Sequence, residues 1–313
     1  MGHSEYRTFV VLNPHSSNGR TGKRWPEIEE AIRRCIGPFD WKATNRPREA
    51  TDLTREALTK GYEMIVSIGG DGTHHETVNG FFDGKTPIQE KAVLATVTSG
   101  TGGDFRRTFG IGTGPYPALD ALPGTATRDI DVGWFSYVDN QGVPQEAIFL
   151  NILSFGIAGL VDDMVNKTTK VLGGKASFIL GTLRAAAKYR AQTVEVRMDD
   201  GAWEEKVIHN IAVANGRYFG GGMHVAPLAE PDDGLFDLVG FEGMTTPRFM
   251  GLAGSIYKGA HLGKVGVTHH RLKTLEARSN ADVLLDVDGE QLGRLPLRIE
   301  ILHKPIRLKI QEQ

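Results

Sequence analysis

Four short apolar runs alternate with helix-like segments in the first third of the chain, and that alternation constrains the fold most. The runs are Thr8–Asn13 (TFVVLN), Phe39–Thr44 (FDWKAT), Met64–Ile68 (MIVSI) and Ala92–Val97 (AVLATV). Helical spacing covers Pro26–Cys35, Arg48–Lys60 and Thr73–Phe82 between and after them. Pro26 suits a first helical turn, and Gly61 follows the second helix where a terminating glycine is expected. Strands that are apolar throughout are buried on both faces, so this repeat predicts a parallel sheet covered by helices.

Beyond Arg128 the pattern changes. Arg128–Val138, Glu146–Gly156, Thr193–Gly216 and Leu235–Phe241 read as strands joined by turns, with Asp200-Gly201 as a hairpin signal. Three more strand-like stretches, RLKTLEARS, DVLLDVDGE and LPLRIEILHKPIRLKI, fill the last part of the chain. Helical segments are expected near Lys175–Arg190 and Pro247–Leu262. The predicted architecture is an α/β N-terminal domain, residues 1–132, followed by a larger, mostly antiparallel β domain with attached helices, residues 133–305. The tail, about 306–313, is expected to return to the first domain. At 313 residues the chain is long enough for two cores of ordinary size.

The strand Met64–Ile68 runs into Gly-Gly-Asp-Gly-Thr. Thr73 and Glu76 fit a capping box, which by itself accounts for those two residues. It leaves Gly69, Gly70, Asp71 and Gly72 unexplained. Glycines let backbone N–H groups approach an anion, whereas an Asp there repels bare phosphate unless a cation or a ribose hydroxyl intervenes. The turn therefore suits a nucleotide phosphate with a metal. A second such turn, TSGTGGDFRRTFG from Thr98, follows the fourth strand, and the first strand ends in NPHSSNGR. Three polar turns at strand ends of one sheet converge where open α/β sheets bind ligands.

Two familiar phosphate motifs fail. A dinucleotide fingerprint needs glycine where His75 stands, and a Walker A loop needs glycine at Ser17 and a hydroxyl at Arg24. A net charge of −2 gives no general attraction to nucleic acid, and no apolar run is long enough to span a membrane. The lone Cys35 excludes an internal disulfide framework. The first residues lack a signal-peptide pattern, and Tyr6 breaks the myristoylation motif. The expected location is cytoplasmic.

The ordered set NPHSSNGRTGK, GGDGTHHETVNGF, SGTGGDFRRTFGI, DIDVG, NILSFGIAG, VAPLAEPDDGLFDL and DVDGEQL resembles the diacylglycerol kinase catalytic family, in its bacterial lipid kinase branch related to sphingosine and ceramide kinases. The resemblance implies a phosphofructokinase- and NAD-kinase-like first domain and an ATP- and Mg²⁺-dependent transfer of phosphate to a lipid hydroxyl. It implies ATP contacts from Asn13, Pro14, His15, Ser16, Ser17, Thr44, Gly70, Asp71, Gly72, Thr73, His74, His75, Glu76 and Thr101. Asp71, Asp104 and Asp131 match positions that organise the catalytic Mg²⁺. Asp288 and Glu290, with Asp71, match catalytic positions, Glu290 as the acceptor of the hydroxyl proton. Asp233, with backbone carbonyls at Glu230 and Leu235, matches a second, structural Mg²⁺ site.

Four residues depart from the family pattern: Gly103 stands for an Asn, His74 and His75 replace an apolar residue and an Asn, and Ser17 stands where glycine is common. The expected partners are a diacylglycerol-like or sphingoid-like lipid and the membrane surface, which the enzyme would touch peripherally, with a homodimer left open and nucleic acid excluded. From Met244 to Arg278 six Lys or Arg stand against one acid, Glu276, a composition suited to anionic lipid. Two alternatives stay open: a kinase of a soluble alcohol or nucleotide, and a nucleotide-binding regulator with weak or no turnover.

Overall fold

The computed structural model describes residues 5–99, 103–111, 119–159 and 189–311. The chain divides into two compact units, Met1–Val132 with Leu302–Gln313, and Gly133–Ile301.

The first unit is the predicted parallel sheet. Strand β1 (Thr8–Leu12) lies between β2 (Asp40–Ala43) and β3 (Met64–Gly69). After a small hairpin of β4 (Phe82–Asp83) and β5 (Thr86–Pro87), β6 (Val93–Thr98) pairs in parallel with β3. β1 and β3 are buried along their whole length, as uninterrupted apolar runs require. Of the helices α1 (Arg20–Lys23), α2 (Trp25–Ile36) and α3 (Glu49–Thr59), α2 is the most clearly amphipathic. It buries Trp25, Ile28, Ile32 and Ile36 against Val10, Leu12, Val66 and Ile68. Burial of each such side chain stabilises the unit by about 1.5–3 kcal/mol.

Helix α4 (Asp71–Asn79) begins two residues earlier than the sequence suggests, and the capping box does not form. Gly70 is the N-cap, no side chain caps the end, and Thr73 lies inside the helix. α5 (Asp104–Thr108) follows β6 after a second glycine turn.

The second unit is antiparallel. β7 (Thr127–Asp139) enters it from the first unit and pairs with β8 (Pro144–Phe149). β9 (Ile152–Gly156), β10 (Gln192–Met198), β11 (Glu204–Ala214), β12 (Phe236–Glu242), β13 (Val267–Leu272), β14 (Thr274–Arg278) and β15 (Leu285–Val287) complete it, with β16 (Gly293–Lys309). β11 is central, pairing with β9, β10 and β12, while β14 joins β10 to β16. Phe135, Phe149, Phe155, Ile211, Phe236 and Leu285 belong to its core.

The helix expected over Pro247–Leu262 is instead two short ones, Thr246–Gly251 and Ala253–Tyr257, broken where glycines at 251 and 254 lower helix propensity. The helix expected over Lys175–Arg190 lies, but for its last two residues, outside the described residues. β16 ends in the first unit, where Arg307 and Leu308 pair in parallel with β6. Its Lys309 is buried and donates to the carbonyls of Pro123, Gly124 and Ala126 at 2.9, 2.9 and 3.1 Å.

Candidate active site

In the first unit three turns at the carboxyl ends of β1, β3 and β6 are tied to one another by side chains. Asn13, ending β1, accepts the N–H of His15 on Oδ1 at 3.0 Å and donates from Nδ2 to the Thr73 hydroxyl at 3.0 Å. Ser16 donates to Thr21 at 2.6 Å, and the Thr21 and Ser99 hydroxyls are 2.5 Å apart. The first turn is thus held to α4 and to the end of β6. Ser17 and Asn18 have φ of 54° and 56°, which explains why a glycine suits position 17. His15 is exposed, Pro14, Ser16 and Ser17 are half-buried, and Thr44 is buried at the end of β2, its N–H donating to Leu12. Thr101 lies outside the described residues.

The two glycines that open the β3 turn differ in kind. A Cβ at Gly69 would lie 2.3 Å from the Thr73 hydroxyl, so the chain itself needs that glycine. Gly70 has φ −92°, ordinary for any residue, and a Cβ there would meet nothing within 4 Å. Neither backbone strain nor packing within the described residues requires Gly70. Bare backbone facing open space at a helix start is what an approaching phosphate needs.

Asp71 accepts the Gly103 N–H on Oδ2 at 2.9 Å, which joins the β3 and β6 turns. Asp104, buried at the start of α5, pairs with Arg107 at 3.2 Å. Arg106 completes the group. Burial, and after it Arg107, lowers its guanidinium pKa, while Asp71 and Asp104 act in the opposite direction.

His74 and His75 are buried. The His74 ring has Nδ1 2.9 Å from the Ser67 hydroxyl and Nε2 3.3 Å from that of Thr98, so it bridges β3 and β6 under the turn. His75 Nε2 is 3.4 Å from the Asn79 amide one helical turn on. These two side chains thus meet partners inside the first unit. Gly72 and Glu76 are half-buried along α4.

Asp131 stands on β7. It is fully buried, and its Oδ1 accepts from His303 Nδ1 and from the Lys304 N–H, both at 2.8 Å, anchoring the returning chain. Among the described residues no group of three or more His, Cys, Asp or Glu is placed to hold a metal. Asp71 accepts the N–H of the residue that precedes Asp104. Two carboxylates, completed by phosphate oxygens and water, suit Mg²⁺, so the residues present fit that cation.

In the second unit, Asp288 and Gly289 form a two-residue turn with φ of 51° and 87°, closed by mutual backbone hydrogen bonds of Val287 and Glu290. The Asp288 carboxylate accepts the N–H groups of Leu150, Asn151 and Ile152 at 3.0, 2.9 and 3.2 Å. It thus holds the β8–β9 turn. Glu290 stays exposed at the foot of the turn.

At the expected second metal site the Asp233 carboxylate is engaged within the chain. Asp233 accepts the Leu235 N–H at 3.0 Å and, on its other oxygen, Arg271 Nη2. Glu230 pairs with Arg217 at 3.1 Å. Arg271 Nε also lies 3.9 Å from buried Asp237, whose carboxyl pKa burial raises although His269 at 2.5 Å and Arg271 pull it down. An arginine stands where the cation was expected. The sequence reading gave no site role to Thr21 and Ser99 and read Arg271 only as part of a basic surface, because each meets a partner distant in the chain.

Residues 7–135 match the diacylglycerol kinase catalytic domain, and residues 151–310 the YegS C-terminal NAD kinase beta sandwich-like domain. A Pseudomonas aeruginosa protein named "probable lipid kinase YegS-like" is 31% identical over 264 residues, covering 84% of this chain and 81% of that one. A diacylglycerol kinase of Bacillus subtilis is 25% identical over 310 residues, covering 98% and 97%. A crystal structure of a diacylglycerol kinase from Bacillus anthracis aligns over 98% of both chains with a TM-score of 0.70 at 19% identity, a likeness of fold.

Proposed function

Because the chain belongs to the diacylglycerol kinase catalytic family and is thus a phosphotransferase acting on an alcohol group, we propose that it phosphorylates a membrane lipid hydroxyl, diacylglycerol-like or sphingoid-like, with ATP as donor and Mg²⁺ as cation. The observation that carries this reading is the linked set of turns at the ends of β1, β3 and β6, with Gly70 bare toward open space and Asp71 beside the Asp104 turn.

In the proposed reaction the backbone around Gly70 and the hydroxyls of the first turn bind the phosphates, while Asp71 and Asp104 hold Mg²⁺. That cation supplies charge neutralisation on the phosphate oxygens, the main electrostatic help that phosphoryl transfer needs. The lipid oxygen bonds to the γ-phosphorus, the bond from that phosphorus to the bridging oxygen breaks, and ADP leaves. Glu290 accepts the hydroxyl proton, an assignment that rests on its place in Asp-Gly-Glu.

A surface of the second unit supports membrane contact. No acid occurs from Gly243 to Leu275, while Arg248, Lys258 and Lys264 are exposed near exposed Tyr257 and Val265. Such a mixture suits an anionic bilayer. The test is a panel of lipids in mixed micelles and in vesicles with and without anionic lipid, assayed with labelled ATP. We expect labelled lipid, more with anionic vesicles, and none from Asp71→Ala. Bound ATP with no labelled lipid from any preparation would overturn the kinase reading. Turnover indifferent to anionic lipid and salt would remove the membrane surface.

A further inference from the structure

One ring in the first unit touches both strands that carry the glycine turns. His74 is 2% exposed and lies near the start of α4, where its N–H donates to the Gly70 carbonyl at 3.1 Å. Its Nδ1 is 2.9 Å from Ser67 Oγ on β3, and its Nε2 is 3.3 Å from Thr98 Oγ1 on β6. A single residue thus fastens the bare glycine at the helix start to the ends of two strands. Those ends are also joined directly, since the Ser99 N–H donates to the Gly69 carbonyl at 2.7 Å.

The direction of these hydrogen bonds follows from a count of protons. Thr77 Oγ1 donates to the Thr73 carbonyl at 2.8 Å, so its single hydrogen is committed. It therefore accepts, at 2.9 Å, from the hydroxyl of fully buried Ser67. Ser67, its own hydrogen given away, accepts from the imidazole, which places the ring proton on Nδ1. Burial disfavours a second, charging proton, so Nε2 is an acceptor and the Thr98 hydroxyl donates to it. The Thr98 methyl, held by that bond, lies 3.0 Å from where a Cβ on Gly103 would stand. Gly103 in turn donates its N–H to Asp71 at 2.9 Å. A circuit closes from α4 through Thr98 and Gly103 back to α4. An apolar side chain at position 74 would fill space there and supply neither polar contact.

We propose that His74 is a positioning residue for the phosphate turns, an uncharged imidazole that holds Ser67 with Nδ1–H and Thr98 with Nε2 and so sets the β6 turn against the start of α4. It acts through Thr98 and touches no phosphate itself. Ser67 sits inside β3, whereas Thr98 borders the second glycine turn, so the two ring nitrogens serve stability and binding respectively. The proposal rests on the reading of these turns as the nucleotide site.

Its test separates the two nitrogens. Asparagine places its amide where Nδ1 stands and does not reach Thr98, and valine at 98 keeps the shape of threonine without the hydroxyl. Mg·ATP binding is measured by calorimetry at a temperature where every variant is folded, with Tm followed in parallel. His74→Asn and Thr98→Val should each loosen Mg·ATP about three- to tenfold, the scale of one hydrogen bond, and the double variant no further than either. His74→Asn should keep most of the Tm that His74→Leu loses. Ring-nitrogen NMR of labelled histidine in the wild type should show His74 Nδ1 protonated and Nε2 bare. Affinity that falls only in step with Tm, losses that multiply in the double variant, or a proton on Nε2 would overturn the proposal. Wild type that binds Mg·ATP while His74→Asn binds it equally well would sink the positioning role alone. Wild type that binds none would sink the kinase reading, and this role with it.

Discussion

Replacing Asp288 separates two roles that the Asp-Gly-Glu signature joins. The carboxylate receives three backbone N–H groups, from Leu150, Asn151 and Ile152, all in a buried turn. The same turn is braced by Asn215 Nδ2 donating to the Leu150 carbonyl at 2.8 Å and by Asn151 Nδ2 donating to that of Tyr218 at 2.8 Å. Hydrogen bonds to a charged acceptor contribute about 1.5–3 kcal/mol each, and three that share two oxygens contribute less than their sum. Asp288→Ala strands all three donors and puts alanine at φ 51°, so it should cost about 3–5 kcal/mol. Asp288→Asn keeps the turn, because Asn accepts that backbone, and retains one acceptor oxygen. It should cost about 1–2 kcal/mol.

At roughly 2–4 °C per kcal/mol for a unit of this size, the alanine variant should lose about 10 °C in Tm and the asparagine variant a few degrees. Glu290→Gln, at an exposed side chain, should leave Tm unchanged while lipid phosphorylation disappears and Mg·ATP binding survives. The assay is thermal unfolding in parallel with labelled-lipid turnover. Asp288→Asn with unaltered Tm and abolished turnover would refute the structural assignment and return Asp288 to the chemistry. Full turnover in Glu290→Gln would remove Glu290 as the proton acceptor.

Two further outcomes follow from the second unit. With Arg271 on Asp233, Mg²⁺ without nucleotide should not raise the wild-type Tm; Arg271→Ala should cost about 1 kcal/mol, the scale of an exposed ion pair, and part of that loss should return with Mg²⁺. A metal-dependent Tm in wild type, unaffected by chelation of the arginine variant, would contradict it. His261, fully buried, has its pKa lowered by burial, with Nε2 2.9 Å from the Val225 carbonyl. The unfolded chain then binds a proton that the folded one resists, so stability is complete above the ordinary imidazole value of about 6.5 and falls as pH drops below it. Tm should decline from pH 6.5 toward 5, and less steeply in His261→Gln; an equal slope in both would refute the role of this ring.

Strands and their order of type were legible because β1, β3 and β6 are apolar without alternation, a pattern few other settings allow. Helix α2 was legible from Trp25, Ile28, Ile32 and Ile36 on one face. The start of α4 was not. A local rule made Thr73 a cap, but its hydroxyl is claimed by Asn13 from the end of another strand. The same blindness covers Asp131, which answers to residues 303 and 304, and Asp288, which answers to 150–152. A carboxylate in a motif reads as chemistry, and only the folded chain shows whether backbone donors have taken it. The cluster of Lys and Arg after Met244 read as one basic surface, yet exposed Arg271 pairs with Asp233 and lies 3.9 Å from Asp237.

The residues that depart from the family pattern bear on whether the site is active or eroded. Ser67 Oγ lies 2.9 Å from His74 and 2.9 Å from Thr77, so an apolar side chain at 74 would remove one of its polar neighbours in a fully buried setting. The histidine therefore belongs with the hydroxyls of Ser67 and Thr98 as one bonded set. Gly103 leaves the room that the Arg106 side chain occupies, since a Cβ there would lie 2.4 Å from Arg106 Nε. Drift in a site released from function would change such residues singly and leave buried polar atoms or steric conflicts behind. Two of the changes, His74 and Gly103, fit the residues around them, and Asp71, Asp104 and Glu290 are all present. That fit favours a working phosphotransferase over a nucleotide-binding regulator.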